Sequence, residues 1–158
     1  MAFYSLDDAD LWGRDTKEMA PIAEAGGLSG ISIANFFLGK PEDDAPVATV
    51  LRMQPGHVLP HHGHNCYRLE VVVQGSMNVG DRTLSPGSIM FSEPGVMYGP
   101  HVAGPQGCTT VEIFSTFQAS HSLMLKGPKG VEEHDLWTKH GAQRTVELVT
   151  QQMAEREA

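Results

Sequence analysis

Pro55-Gly56-His57-Val58-Leu59-Pro60-His61-His62-Gly63-His64, continuing through Asn65-Cys66-Tyr67-Arg68-Leu69-Glu70-Val71-Val72-Val73-Gln74-Gly75, is the stretch on which the reading of this chain turns. Four of the eight histidines fall here, just ahead of an apolar run. Imidazole is a common ligand of transition metals. On a strand, residues two apart share a face, so His62 and His64 can aim at one ion. His61 has the opposite parity and His57 lies just after a turn, so neither is expected to ligate.

Outward from this stretch the chain is punctuated as a β protein. Residues 28–37 partly alternate, and Pro41-Glu42-Asp43-Asp44-Ala45-Pro46 breaks the pattern before it resumes over 47–53. Short segments at 67–74, 76–79, 82–84, 88–92, 109–117 and 122–125 follow, with Gly, Pro or Asp between most of them. Many short strands with such turns indicate a sandwich or a barrel. Val146, Val149 and Met153 stand at helical spacing, which predicts a terminal helix over 143–155. Residues 15–24 are too weakly patterned to assign. The expected organisation is one domain: an N-terminal extension over 1–27, the β-barrel over 28–126 and a C-terminal extension with its helix over 127–158.

Composition bounds the function. A chain of 158 residues with 41% hydrophobic content forms one core. A formal charge of −8 lacks the clustered cations that phosphate neutralisation needs, which argues against a nucleic-acid partner. No apolar stretch approaches the roughly 20 residues that span a bilayer, and no basic region precedes an apolar one at the N-terminus. No membrane is implied, and the cytoplasm is the expected compartment. Cys66 and Cys108 make no framework and are expected to be reduced thiols. Met53, Met77, Met90 and Met97, with Val71, Val73, Ile89 and Phe91, point to an apolar interior or interface. Such an interior with a few polar anchors suits a small organic molecule. Phe3, Tyr4, Leu6, Leu11 and Trp12 are more apolar than a free arm needs, which leads us to expect a homodimer.

Gly56, His62, His64 and Gly75 stand in a spacing that resembles the first motif of the cupin superfamily: glycine, five residues, His-x-His, three or four residues, a glutamate, six residues and a glycine. The stretch from Gly87, with Gly87-Ser88-Ile89-Met90-Phe91 and then Pro94-Gly95, resembles the second motif. Together the two cover about residues 47–117. The resemblance implies an all-β cupin fold, a single-domain double-stranded β-helix or jelly roll. The chain departs from the pattern twice. Arg68 stands where the family's glutamate ligand would be, and Tyr98 stands at the second-motif histidine in a gap-free alignment, with His101 three residues later.

His62, His64 and His101 would make a three-histidine face, which resembles the iron centres of acetylacetone-cleaving dioxygenase and of the thiol dioxygenases. What the resemblance implies is a divalent transition metal, Fe(II) first, with Zn, Ni, Mn or Cu also open. Three neutral ligands leave an ion its full charge to attract an anionic or enolisable substrate. Arg68 then reads as a pocket cation orienting substrate, or else as a partner of Glu70 or Glu112 inside the barrel. Tyr98 reads as a hydrogen-bond donor to substrate or as a rim residue. Glu112 shares a face with Thr110 and Phe114 and is either an inward acid or a solvated outer residue. Glu70 could reach a metal only through a bulge or from behind the ligands. Cys66 reads as core. Three functions follow: a metal-dependent dioxygenase acting on a small carbonyl-containing or aromatic substrate, a small-molecule or metal-binding cupin without turnover, and a non-redox cupin isomerase or lyase.

Overall fold

The alternation that begins at His64 continues into the longest ladder of the molecule, where β5 (Arg68–Val79) runs antiparallel to β9 (His101–Phe114). A computed structural model describes residues 1–12, 14 and 17–158. Along β5, Arg68, Glu70 and Val72 turn inward and are buried, and opposite them on β9 lie Phe114, Glu112 and Thr110, also buried. Glu112 is therefore an inward acid. Val73 and Ile113 on the outward face are exposed, as are Ile89 and Phe91 of β7 (Ile89–Ser92), so these four apolar residues belong to the outer surface. Met53 and Met77 are core residues, packed with Leu51, Val72, Ala103 and Cys108.

β1 (Ile31–Phe37) and β2 (Val47–Met53) extend this sheet, which is ordered β1-β2-β9-β5-β6 with β6 (Arg82–Leu84) at one edge. β3 (Val58–Leu59) adds to β9, and β7 adds to β5. A second antiparallel sheet takes the order β11-β10-β4-β8, built from β4 (His62–Gly63), β8 (Met97–Tyr98), β10 (Ser122–Gly127) and β11 (Gly130–Asp135). The molecule is thus mostly β, with two antiparallel sheets in a jelly-roll arrangement.

Two breaks expected from the sequence are absorbed as bulges. Gly75, read as ending a strand, lies inside β5, and the pairing shifts on both sides of it, between Val72 and Gln74 and between Gly75 and Met77. Its φ is +71°, and a Cβ there would stand 2.1 Å from the Gly107 carbonyl oxygen, so only glycine serves. The Gly- and Pro-rich segment before Thr109, which reads as loop, is the first half of β9. Met77 pairs with Ala103 and Gly75 with Cys108, so residues 104–107 bulge out of register, and Pro105, which has no N–H to donate, falls there. β11 carries no strand signal because Glu132, Glu133, His134 and Asp135 make it polar, yet it pairs with β10 along its length. The sheet therefore continues past residue 126.

The helices cover the barrel. α1 (Ala9–Trp12) buries Leu11 against Ala34 and Val50, so that part of the apolar N-terminus packs on this chain's own sheet, whereas Phe3 is exposed. Of the unassigned 15–24 stretch, Asp15 and Thr16 lie outside the described residues, and Ala20–Glu24 forms α2 with Pro21 in its first turn. The short α3 (Phe117–Ser120) leads into β10. The terminal helix, α4 (Lys139–Glu157), begins four residues earlier than its apolar pattern shows, because the Thr138 hydroxyl caps it by accepting from the Gly141 N–H at 3.1 Å. α2 and α4 meet through Met19, Ile22 and Ala142. Among the described residues no helix is long and apolar enough to cross a membrane.

Candidate active site

His62 on β4 and His64 just beyond it are both buried. His62 Nδ1 bonds the Pro60 carbonyl at 2.7 Å, and His64 Nδ1 bonds the Ala119 carbonyl at 2.8 Å. A carbonyl only accepts, so Nδ1 carries the proton in each ring and Nε2 keeps its lone pair. This is how ligating histidines are oriented from behind. His101, at the start of β9, is fully buried, and both of its ring nitrogens lack a partner. Burial holds the His62 pKa well below the ordinary imidazole value, with the neighbouring His64 adding to the effect. Burial likewise brings His64 to about 4, and burial together with the Arg68 charge brings His101 to about 4. All three are neutral near pH 7, which is the form that binds a metal.

As donors these side chains suit a divalent transition ion, since two free Nε2 lone pairs and an orphaned third imidazole lie side by side. Ring centroids are 5.8 Å apart for His62 and His64 and 6.0 Å for His62 and His101. Two imidazoles on one tetrahedral ion, with metal–nitrogen bonds of 2.0–2.1 Å, would bring their centroids to roughly 5 Å. Among the described residues no group of three His, Cys, Asp or Glu side chains closes on a common point. The structure thus brings the three histidines together with their rings wider apart than a bound ion would draw them.

Arg68 occupies the floor beneath the histidines. Its Nε donates to Glu112 Oε2 at 2.5 Å and its Nη2 donates to Glu70 Oε2. Both carboxylates are buried, so the ion-pair alternative for Arg68 is realised with both partners at once. Burial alone would lower the guanidinium pKa, but Glu112 and then Glu70 more than offset this and raise it. Glu70 is pushed up to about 7 by burial and by the charge of Glu112, against the pull of Arg68. Its Oε1 is buried without a partner.

Tyr98 lies over this cluster. The Arg68 guanidinium carbon is 4.6 Å from its ring centroid, His62 meets its ring edge-on at 4.7 Å, and His101 stacks on it at 5.7 Å. The hydroxyl is buried with no partner, and burial pushes its pKa far above the usual phenol value, so it is a neutral donor. Cys66 sits in the core with Val47, Phe114 and Ala119, and burial raises its thiol pKa, which keeps it inert. His61 is exposed, whereas His57 is half-buried on the cavity wall.

A cavity of about 510 Å³ opens from this floor. Its inner end is formed by His62, His64, Arg68, Glu112 and Phe114. Its walls are apolar: Ile31, Ile33 and Leu51 from the large sheet, Met19 and Ile22 near and on α2, and Val146, Val149 and Met153 from α4. The sequence showed the α4 apolar stripe but not that it walls a site. Thr49 and Asn35, joined by a 2.8 Å hydrogen bond, and His121 also line the cavity. Nothing in their local sequence marks them, and only the tertiary fold brings them in.

No protein-family model and no curated protein matches the chain. Solved structures do. A protein of unknown function with a cupin-like fold from Ralstonia eutropha is similar over 84% of this chain and 78% of that one, with a TM-score of 0.53 and 15% identity. KdgF from Halomonas sp. is 26% identical over 55% of this chain and 80% of its own, with a TM-score of 0.45. The polyketide cyclase RemF from Streptomyces resistomycificus is 24% identical over 54% of this chain and 64% of its own, also with a TM-score of 0.45.

Proposed function

The fold is that of the cupins, and on it we propose a metal-dependent enzyme that acts on a compact, mainly apolar substrate carrying a carbonyl or aromatic group. The observation that supports this reading is one apolar cavity ending on the free Nε2 atoms of two neutral, back-bonded histidines. In this reading His62, His64 and His101 hold the ion. A divalent transition metal there supplies Lewis acidity and, if iron, reactivity toward dioxygen. The apolar walls exclude water and orient the substrate's body, and Tyr98 donates its hydroxyl proton into the floor. Arg68, already matched by two carboxylates, is assigned to hold Glu112 at the cavity end. The finer form of the proposal is a non-haem Fe(II) dioxygenase.

The test is oxygen uptake by iron-reconstituted protein against a panel of β-diketones and phenolic ketones. Uptake that needs both iron and substrate supports the dioxygenase, and its absence across the panel overturns it. A second reading is favoured by Arg68 at the glutamate position, with Glu70 and Glu112 buried beside it. In that reading the cupin is non-redox, and Glu112 or Tyr98 moves protons. Turnover that survives without oxygen and with zinc in place of iron would select it. Ligand-induced stabilisation without product would select the binding cupin instead. The homodimer is also a proposal, and light scattering that returns the 17.1 kDa of one chain would remove it.

A further inference from the structure

The cavity wall carries a further polar side chain, His121, to which the proposed function gives no role. His121 lies between α3 and β10, lines the cavity wall, and has a side chain only 10% exposed. Its Nδ1 bonds Asp135 Oδ1 at 2.9 Å. Asp135 is held in turn, because the same oxygen accepts the Trp137 N–H at 2.8 Å and Ser122 pairs with Asp135 across the β10–β11 ladder. The ring is clamped by aromatic neighbours: Trp137 stacks on it at 4.2 Å and 8°, and Phe117 meets it edge-on at 5.3 Å. A carboxylate only accepts, so Nδ1 carries the proton, and in the neutral ring Nε2, on the opposite edge, is then an acceptor. That Nε2 is buried and has no partner.

A buried acceptor left unmatched is costly, and an imidazole fixed in tautomer and orientation by a carboxylate is suited to recognising one donor. We propose that His121, oriented by Asp135, is a specificity-determining residue that accepts a hydrogen bond from a hydroxyl group of the cavity ligand. The ligand class is then a hydrophobic molecule with two oxygens set apart: a carbonyl or enolate directed to the His62 and His64 floor, and a hydroxyl directed to His121. Trp137, which also lines the cavity, offers an apolar wall beside that hydroxyl. The inference rests on the cavity being the substrate site, but not on which metal, if any, occupies the floor.

The probes are 6-acetyl-2-naphthol, which carries a ketone and a hydroxyl at opposite ends, and 2-acetylnaphthalene, which lacks the hydroxyl. Binding is measured by calorimetry on the full chain and on His121→Phe and His121→Gln. The wild type should bind the naphthol at least about tenfold more tightly, as expected when one ligand matches a buried acceptor and the other leaves it bare. His121→Phe should erase that ratio while holding 2-acetylnaphthalene within about twofold. His121→Gln, whose amide oxygen still accepts, should restore part of it. In nitrogen-15 spectra the His121 Nε2 resonance should move with the naphthol and not with its deoxy analogue. Equal binding of the two probes by the wild type, or a hydroxyl preference that survives in His121→Phe, overturns the inference and leaves the cavity reading standing. Failure of both probes to bind the wild type overturns the cavity reading and this inference with it.

Discussion

Arg68 and Glu112 meet across the β5–β9 ladder, the Arg68 Nε donating to Glu112 Oε2 at 2.5 Å with both side chains buried. The position where the family pattern places a carboxylate thus carries a cation, and the carboxylate stands on the neighbouring strand. A buried carboxylate, Glu112, therefore sits at the cavity floor.

Removing Arg68 leaves two buried carboxylates without their cation. Arg68→Met should therefore destabilise the protein by about 3–5 kcal/mol in urea titrations. The triple variant Arg68→Met, Glu70→Leu, Glu112→Leu should recover most of that loss, because the whole buried charge set is gone. A triple variant no more stable than Arg68→Met would show that the ion cluster holds the strands together.

Acid should weaken the metal-free protein, and the sign follows from the three histidines. Their folded pKa values lie below the ordinary 6.5, at about 4 for His64 and His101 and well below it for His62. The unfolded chain therefore binds more protons between about pH 4 and 6.5, and stability rises with pH across that window. Glu70 acts the other way: its folded value near 7 exceeds 4.5, so it favours the folded state at low pH and that contribution fades up to about 7. With three groups against one, the net slope is at most roughly 2–3 kcal/mol per pH unit. Urea midpoints should climb from pH 5 to 6.5 and then flatten or dip slightly, and Glu70→Gln should steepen the climb and abolish the dip. Midpoints that do not change with pH would refute this.

Gly75→Ala should cost about 2 kcal/mol or more. The residue has φ +71°, and its added methyl would strike the Gly107 carbonyl oxygen. Gly56→Ala also has a positive φ, but a Cβ there meets nothing within 4 Å, so it should cost less. Thermal melts of the pair check the order.

Val149→Glu places a charge on the α4 wall of the cavity. Because Val149 is half-buried, stability should change by less than about 1 kcal/mol, whereas affinity for an apolar ligand should fall at least tenfold. Unchanged affinity would place the ligand away from α4.

Much of the framework was legible because local pattern and tertiary role agree. His62 and His64 at a spacing of two, the shared face of Thr110, Glu112 and Phe114, and the strand at 47–53 all follow from strand period, although which way that face points does not. What misled were Gly75 and the Gly104-Pro105 step, which read as ends of strands and are bulges inside them, a distinction set by the partner strand. What was invisible depends on distant chain. Arg68 chooses two carboxylates at once only when β5 and β9 pair, β11 is a strand only because β10 lies beside it, and His121 becomes a cavity residue only through the docking of α4, β10 and Trp137.

Elemental analysis of the reconstituted protein beside His62→Ala, His64→Ala and His101→Ala, each checked for folding by circular dichroism, tests the central claim most directly. About one divalent transition ion per chain in the wild type, lost in all three variants, is the expected result. A wild type that holds no stoichiometric metal, or one that keeps its metal when His62 and His64 are removed, would contradict it.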